Sequence, residues 1–220
     1  YANAAERAEA ALEAERQRSE TLLHNVMPEE IADRLKADPA AIADNFKGVT
    51  VLFADLVGFT EMSTRMEPKA LVDMLNGVFT RFDALTDRYG LEKIKTIGDA
   101  YMVVGGLPAL REDHAEAVAA LALDMMAAAN ESNTALRIGI HSGPVVAGVI
   151  GKRKFAYDLW GDTVNTAARM ESHGEPGRIQ VTRATRDLLG DEFAVEPRGE
   201  IEVKGKGKVE AFFLAGRTGP

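Results

Sequence analysis

Apolar positions along this chain change their period several times, and each change marks an element. Val51 to Ala54 is an unbroken apolar, β-branched and aromatic run, the pattern of a buried strand, and it delivers Asp55 just before the glycine of LVGFT and a helix. The strand reads from near Gly48, after a loop marked by Asp38-Pro39 and Asp44-Asn45. Thr60 is placed to cap a short turn, and Pro68 opens a helix whose Leu71, Met74, Leu75, Val78, Phe79, Phe82 and Leu85 recur at three- and four-residue spacing as one core face. Two strand-like runs, Leu91 to Ile97 and Ala100 to Val104, meet at Gly98-Asp99, a tight hairpin signal. A helix from about Asp113 to Asn130 should bury Val118, Leu121 and Met125 and leave His114 exposed at its start.

In the second half, ALRIGIHSGPVVAGVIG reads as two strands turning at Ser142-Gly143-Pro144, followed by a basic turn, a short strand and a helix from near Gly161-Asp162. The end of the chain reads as strand, helix and a β-ribbon. Strand, helix, two strands, helix and strand make the βαββαβ ferredoxin-like unit. The prediction is an α+β fold, a sheet with helices on one face and extra C-terminal strands and helices.

Ahead of this domain, Tyr1 to about Leu35 is rich in Ala, Glu and Arg and lacks Gly, so it should be helical. Tyr1, Ala5, Ala8, Leu12, Glu15, Ser19, Leu22 and Val26 follow 4-3 spacing, and six of the eight are apolar or alanine. Such a seam fits a parallel coiled-coil dimer, although a solvated single helix has the same composition. Pro28 opens a second helix, with Glu29 and Glu30 in the favourable first turn. The division is therefore an N-terminal helical element over 1–45 and one domain over 46–216.

Composition narrows the partners. A chain of 220 residues allows one sizeable domain with an appendage, and its 46% hydrophobic and 27% charged residues are ordinary for a globular fold. A net charge of −8 and a pI near 5.1 argue against nucleic acid, so any polyphosphate must be held by local cations. With no cysteine, disulfides and thiol catalysis are excluded. No apolar run is long enough to span a bilayer. Opening on Tyr1, the chain is compatible with an upstream membrane or sensor domain, which would put this domain in the cytoplasm or on the cytoplasmic face of a membrane. There is no GxxxxGK[ST] loop, no GxGxxG after a strand and no HExxH, which removes kinase, dinucleotide and zincin chemistries.

The candidate chemistry lies at strand ends. Pairing the first strand beside the hairpin would bring Asp55 and Asp99 together, and with no basic neighbour in sequence two carboxylates suit a hard cation, Mg²⁺ or Mn²⁺. Asn165 and Arg169 are four apart on one helix face, and Lys95 lies inside a strand beside apolar Ile94. Taken singly, Asp158 also fits a turn, Arg169 a surface cation, Asn165 a helix polar position and Lys95 a solvent-facing alternate. His141 reads as structural, and His173 as a partner of the last carbonyls of its helix.

FADLVGFT, KTIGDAYM, YDLWGDTVNTAARM and VKGKG, in that order, resemble the signature motifs of the class III nucleotidyl cyclase catalytic domain, over roughly Phe46 to Ala215. LLHNVMPEEIADRLK likewise resembles the LLxxxxPxxIAxxL element that joins input to catalysis in regulated cyclases. The resemblance implies conversion of ATP to 3′,5′-cyclic AMP and pyrophosphate with two Mg²⁺ or Mn²⁺ per site, held by Asp55, Asp99 and the Leu56 carbonyl. It implies that Arg169 stabilises transition-state charge and Asn165 orients the ribose. Lys95 and Asp158 would recognise adenine, Lys95 donating to ring N1 and Asp158 accepting from the N6 amine. Guanine-selective members typically carry Glu and Cys there, so ATP is favoured over GTP. Arg153 and Lys204 would hold the β- and γ-phosphates, with Lys206 a weaker candidate, while Lys152, Lys154 and Lys208 read as a solvated basic loop. Members work as head-to-tail dimers with composite sites, and this chain carries both residue sets, as a homodimer requires. The competing expectations are a guanylyl cyclase and a silent nucleotide-binding regulatory domain. Silent domains usually lack a metal aspartate or the transition-state arginine, and both are present here.

Overall fold

Val49 to Ala54 are all buried, which fits a strand that is covered on both faces and explains the unbroken apolar run. The computed structural model describes residues 2–38, 42–151 and 154–219; Tyr1, Pro39, Lys152 and Arg153, all named above, lie outside the described residues. Contacts divide the chain into two compact units.

The larger unit covers Asp44–Ala147 and Asp158–Pro220. Its elements are drawn from β1 (Ala43–Leu56), α3 (Phe59–Arg65), α4 (Pro68–Arg88), β2 (Glu92–Ile97), β3 (Ala100–Gly105), α5 (His114–Glu131), β4 (Leu136–Ile150), β5 (Ala156–Trp160), α6 (Asp162–Ser172), β6 (Ile179–Thr182), α7 (Arg183–Arg186), β7 (Phe193–Val203) and β8 (Gly207–Arg217). The sheet order is β2-β3-β1-β4-β6-β8-β7, with β5 beside β4. Its first four strands have the ferredoxin-like order that the βαββαβ pattern predicts, and β6 to β8 extend it. Phe82 of α4 is buried edge-on against Tyr101 of β3, and Met74, Leu75, Val78, Phe79 and Leu85 pack on the same core. Helix α5 buries more than its three predicted residues. A run of alanines from Ala115 to Ala122 lets it lie close against its neighbours.

The smaller unit, Tyr1–Ala43 with Gly148–Tyr157, holds α1 (Ala2–His24) and α2 (Glu29–Ala37), which follows Pro28 as predicted. Met27, Ile31, Ala32, Ile42, Gly148 and Tyr157 are buried among its described residues, and the Val149 amide donates to the Ile42 carbonyl. Leu12 and Leu22 of the predicted seam are exposed, and α1 ends at His24, so Val26 falls in the following turn.

Four sequence expectations give way. Asp44 and Asn45 belong to β1, not to a loop, and Phe59–Arg65 is a helix entered through Gly58 instead of a Thr60-capped turn. β4 runs through Ser142-Gly143-Pro144 without turning; Gly143 does not adopt positive φ, and Thr163 of α6 donates to the Pro144 carbonyl at 2.7 Å, fastening the strand there. His114 is half-buried, because its Nδ1 meets the Thr50 hydroxyl at 2.7 Å.

Candidate active site

β1 and β3 are antiparallel neighbours in which Asp55 pairs with Ala100. Asp99 precedes Ala100 in the turn, and Gly98 takes the positive φ of 62° that lets the hairpin close there. The two carboxylates therefore meet, close enough to share a hydrogen bond. Burial, then the negative charges of Glu171 and Asp99, push the Asp55 carboxyl up to about 6, with Arg137 opposing.

Arg137 is the residue the sequence reading missed. Its Nη2 donates to Asp55 at 3.1 Å and its Nε to Glu171 at 2.7 Å, so the carboxylate pair does have a basic partner, contributed by β4. The available signal was a charge between apolar Leu136 and Ile138 in a strand, the same signal that singled out Lys95.

Lys95 owes its aim to a bulge. Lys93 faces Val103 and Lys95 faces Met102, so one extra residue sits on β2 between them. Without it the two lysines would share a face. Instead Lys93 donates to Asp83 of α4 at 2.7 Å, while Lys95 forms a short ion pair with Asp158 of β5. The second Asp158 oxygen accepts from the Leu159 amide at 2.8 Å, which fixes the carboxylate. The structure thus brings Lys95 and Asp158 together.

The third group stands on α6. Asn165 and Arg169 are exposed on one face, while Thr163, Thr166, Ala167 and Met170 are buried on the other. Both polar residues line a cleft of about 570 Å³ with Asp162, Glu171, Lys204 and Lys206. Lys204 at the end of β7 therefore joins Asn165 and Arg169, and Lys206 is held by Asp162. Arg153 lies outside the described residues. His141 donates to or accepts from Thr182 at 2.7 Å, a structural contact, and His173 meets the Arg169 carbonyl at 3.0 Å at the end of α6.

The donor set suits a small hard cation. Among the described residues no three His, Cys, Asp or Glu side chains cluster as a ready-made metal cage. One or two carboxylates completed by a backbone carbonyl such as that of Leu56, by water and by phosphate oxygens is the way Mg²⁺ is usually held. Burial first, and the Glu171 and Asp99 charges after it, disfavour the ionised Asp55 carboxylate, and a cation bound there would offset both.

Residues 42–216 match the family described as "Adenylate and Guanylate cyclase catalytic domain". The chain belongs to this family. A Mycobacterium tuberculosis protein named adenylate cyclase is 49% identical over 96% of this chain and 49% of its own length; the chain spans half or less of the length of the curated relatives it matches. Among solved structures, the guanylate cyclase domain of RhGC from Catenaria anguillulae in complex with GTP is 38% identical, with a TM-score of 0.77 over 80% of this chain and 100% of that one. The adenylyl cyclase CyaB from P. aeruginosa is 28% identical, with a TM-score of 0.76 over 79% of this chain and 96% of that one. Class III fold and cyclase membership are thus established for the chain, and no described helix is long and apolar enough to cross a membrane.

Proposed function

We propose that this cyclase domain converts ATP to 3′,5′-cyclic AMP and pyrophosphate at two equivalent sites of a head-to-tail homodimer. The observation that carries the reading is the Asp55–Asp99 carboxylate pair at the joined ends of β1 and β3. When bound there, two Mg²⁺ or Mn²⁺ ions would lower the pKa of the ribose 3′-hydroxyl and neutralise the triphosphate. Asp55, Asp99 and the Leu56 carbonyl would hold them, and Arg137 beside Asp55 offers its remaining N–H groups to polyphosphate oxygens.

The other half of each site comes from the partner's α6 cleft. Asn165 orients the ribose so that the 3′ oxygen faces the α-phosphorus, and Arg169 meets the charge that builds on the α-phosphoryl group. Lys204, with Arg153, takes the β- and γ-phosphates. Lys95 donates to adenine N1 and Asp158 accepts from the N6 amine; an ionised aspartate cannot donate to guanine O6, so the pair favours ATP. Residues 1–45 form the signalling element ahead of catalytic residues 46–216, and the exposed Leu12 and Leu22 support a parallel coiled coil between protomers.

The test is incubation of the chain with ATP or GTP and Mn²⁺, separation of products, and Asp55→Ala in parallel. Cyclic AMP that disappears in the variant supports the assignment. Preferential cyclic GMP would overturn the Lys95–Asp158 argument, and bound nucleotide without product would point to a regulatory domain.

A further inference from the structure

Glu171 sits on α6 two residues beyond Arg169 and lines the same cleft, yet its carboxylate turns the other way. Its side chain is only 13% exposed and accepts from the Nε of Arg137, whose Nη2 reaches Asp55. We propose that Glu171 is a positioning residue for the active site that its own helix does not build. The inference rests on the shared-site reading above. In such a dimer one chain's Asn165 and Arg169 serve one site, while its Asp55 and Arg137 serve the other.

Geometry makes the hold rigid. A Cβ on Gly139 of β4 would stand 1.9 Å from the Glu171 amide nitrogen, so the last turn of α6 rests directly on the β4 backbone and only glycine fits beneath it. The Glu171 carboxylate therefore stands at a fixed place relative to Arg137. A guanidinium has five N–H groups in a planar fork. Glu171 takes the Nε–H and Asp55 takes one from Nη2, which leaves the Nη1 edge for a polyphosphate oxygen. Once Glu171 no longer anchors Nε, Asp55 is the only carboxylate bonded to the guanidinium, and the free edge loses its aim. Arg137 contacts phosphate in ground and transition states alike, so misdirecting it should raise KM more than it lowers kcat.

A heterodimer with one complete site separates this role from support of α6. One differently tagged chain carries Asp55→Ala and the other Arg169→Ala, so the single intact site takes Asp55 and Arg137 from the Arg169→Ala chain and Asn165 and Arg169 from the Asp55→Ala chain. Glu171→Gln, which keeps shape and a hydrogen-bond acceptor but removes the charge, is then added to either chain. In the Arg169→Ala chain it should raise the KM for Mn·ATP about tenfold with kcat within about twofold. In the Asp55→Ala chain both constants should stay within about twofold. Glu171→Asp, with its shorter reach, should show the same asymmetry at smaller size. A larger effect in the Asp55→Ala chain, an equal loss from either chain, or no effect in either overturns the proposal, because Glu171 would then shape its own cleft or only the fold. If the parental heterodimer is inactive although both chains melt cooperatively and exchange is verified, the shared-site reading fails and the proposal with it.

Discussion

Two polar clusters cross the central sheet, and they solve opposite problems. One is neutral: Thr50, Ser142, Thr182 and Thr185 join His114 to His141 through contacts of 2.7 to 3.5 Å. The four hydroxyl residues are at most 5% exposed, and each hydroxyl has a neighbour to donate to and another to accept from. The other cluster is charged: Asp55, Asp99, Arg137 and Glu171 set three carboxylates against one guanidinium. A satisfied network fixes a fold, whereas an excess of one charge requires a ligand of the other sign. Substitutions in the first should therefore cost stability, and in the second activity.

The sharpest break in that contrast is expected from Asp55→Ala and Arg169→Ala. Each should lower cyclic nucleotide formation about a hundredfold or more while leaving the melting temperature within a few degrees of the parent, as read by product assay and calorimetry. Loss of folding in either would erase the distinction between site and scaffold. Next in size is base choice. Lys95→Glu with Asp158→Cys should move the ratio of kcat/KM for ATP over GTP towards GTP by about a hundredfold, since donors and acceptors exchange places. An unchanged ratio would remove the Lys95–Asp158 pair from base recognition.

The neutral cluster gives the reverse pattern. Ser142→Ala deletes the hydroxyl that meets both Thr50 at 2.7 Å and Thr185 at 2.9 Å, in a site with almost no access to water. The expected cost is about 1–3 kcal/mol of stability with kcat retained, measured by denaturant unfolding and product assay. A fall in kcat without a fall in stability would mean that the hydroxyl chain takes part in the chemistry.

How much was legible beforehand follows the range of the interaction. Helix α4 and the β2–β3 hairpin were readable because periodicity, Pro68 and Gly98-Asp99 are local signals, and the hairpin in turn placed Asp99 beside Asp55. Arg137 was not readable as a partner of Asp55, because 82 positions separate them and only the order of the sheet joins their strands. His114 looked exposed at a helix start because its partner Thr50 comes from β1, 64 positions earlier in the chain. The expected turn at Ser142-Gly143-Pro144 failed for the same reason: contacts from α6 override a local turn signal. The bulge that turns Lys95 towards Asp158 leaves no mark in composition at all.

The smallest expected effect opposes the two clusters within one pH titration. Burial, reinforced by nearby Lys206 and opposed by Asp162, holds the His141 imidazole down at about 4, so folding favours its neutral form. With an ordinary value near 6.5 in the unfolded chain, stability from this group is complete above about pH 6.5 and is lost as pH falls through 4. Asp55 has the other sign. Its carboxyl is raised from 3.8 to about 6, so without metal the folded state is favoured at low pH and loses stability as pH rises between those values. Glu92, pushed up to about 7 by burial, acts in the direction of Asp55 but cancels when each variant is compared with the parent. In metal-free buffer Asp55→Asn should melt above the parent at pH 7, and that advantage should vanish below about pH 4. His141→Asn should melt below the parent at pH 7 and regain ground on acidification, by at most about 1.4 kcal/mol per pH unit for one proton. Saturating Mn²⁺ should abolish the Asp55→Asn advantage, because an ion that binds the folded carboxylate pair stabilises the parent by mass action, while leaving the His141 difference in place. If the cation shifts both differences equally, the clusters are not independent, and the division between satisfied scaffold and charged site fails.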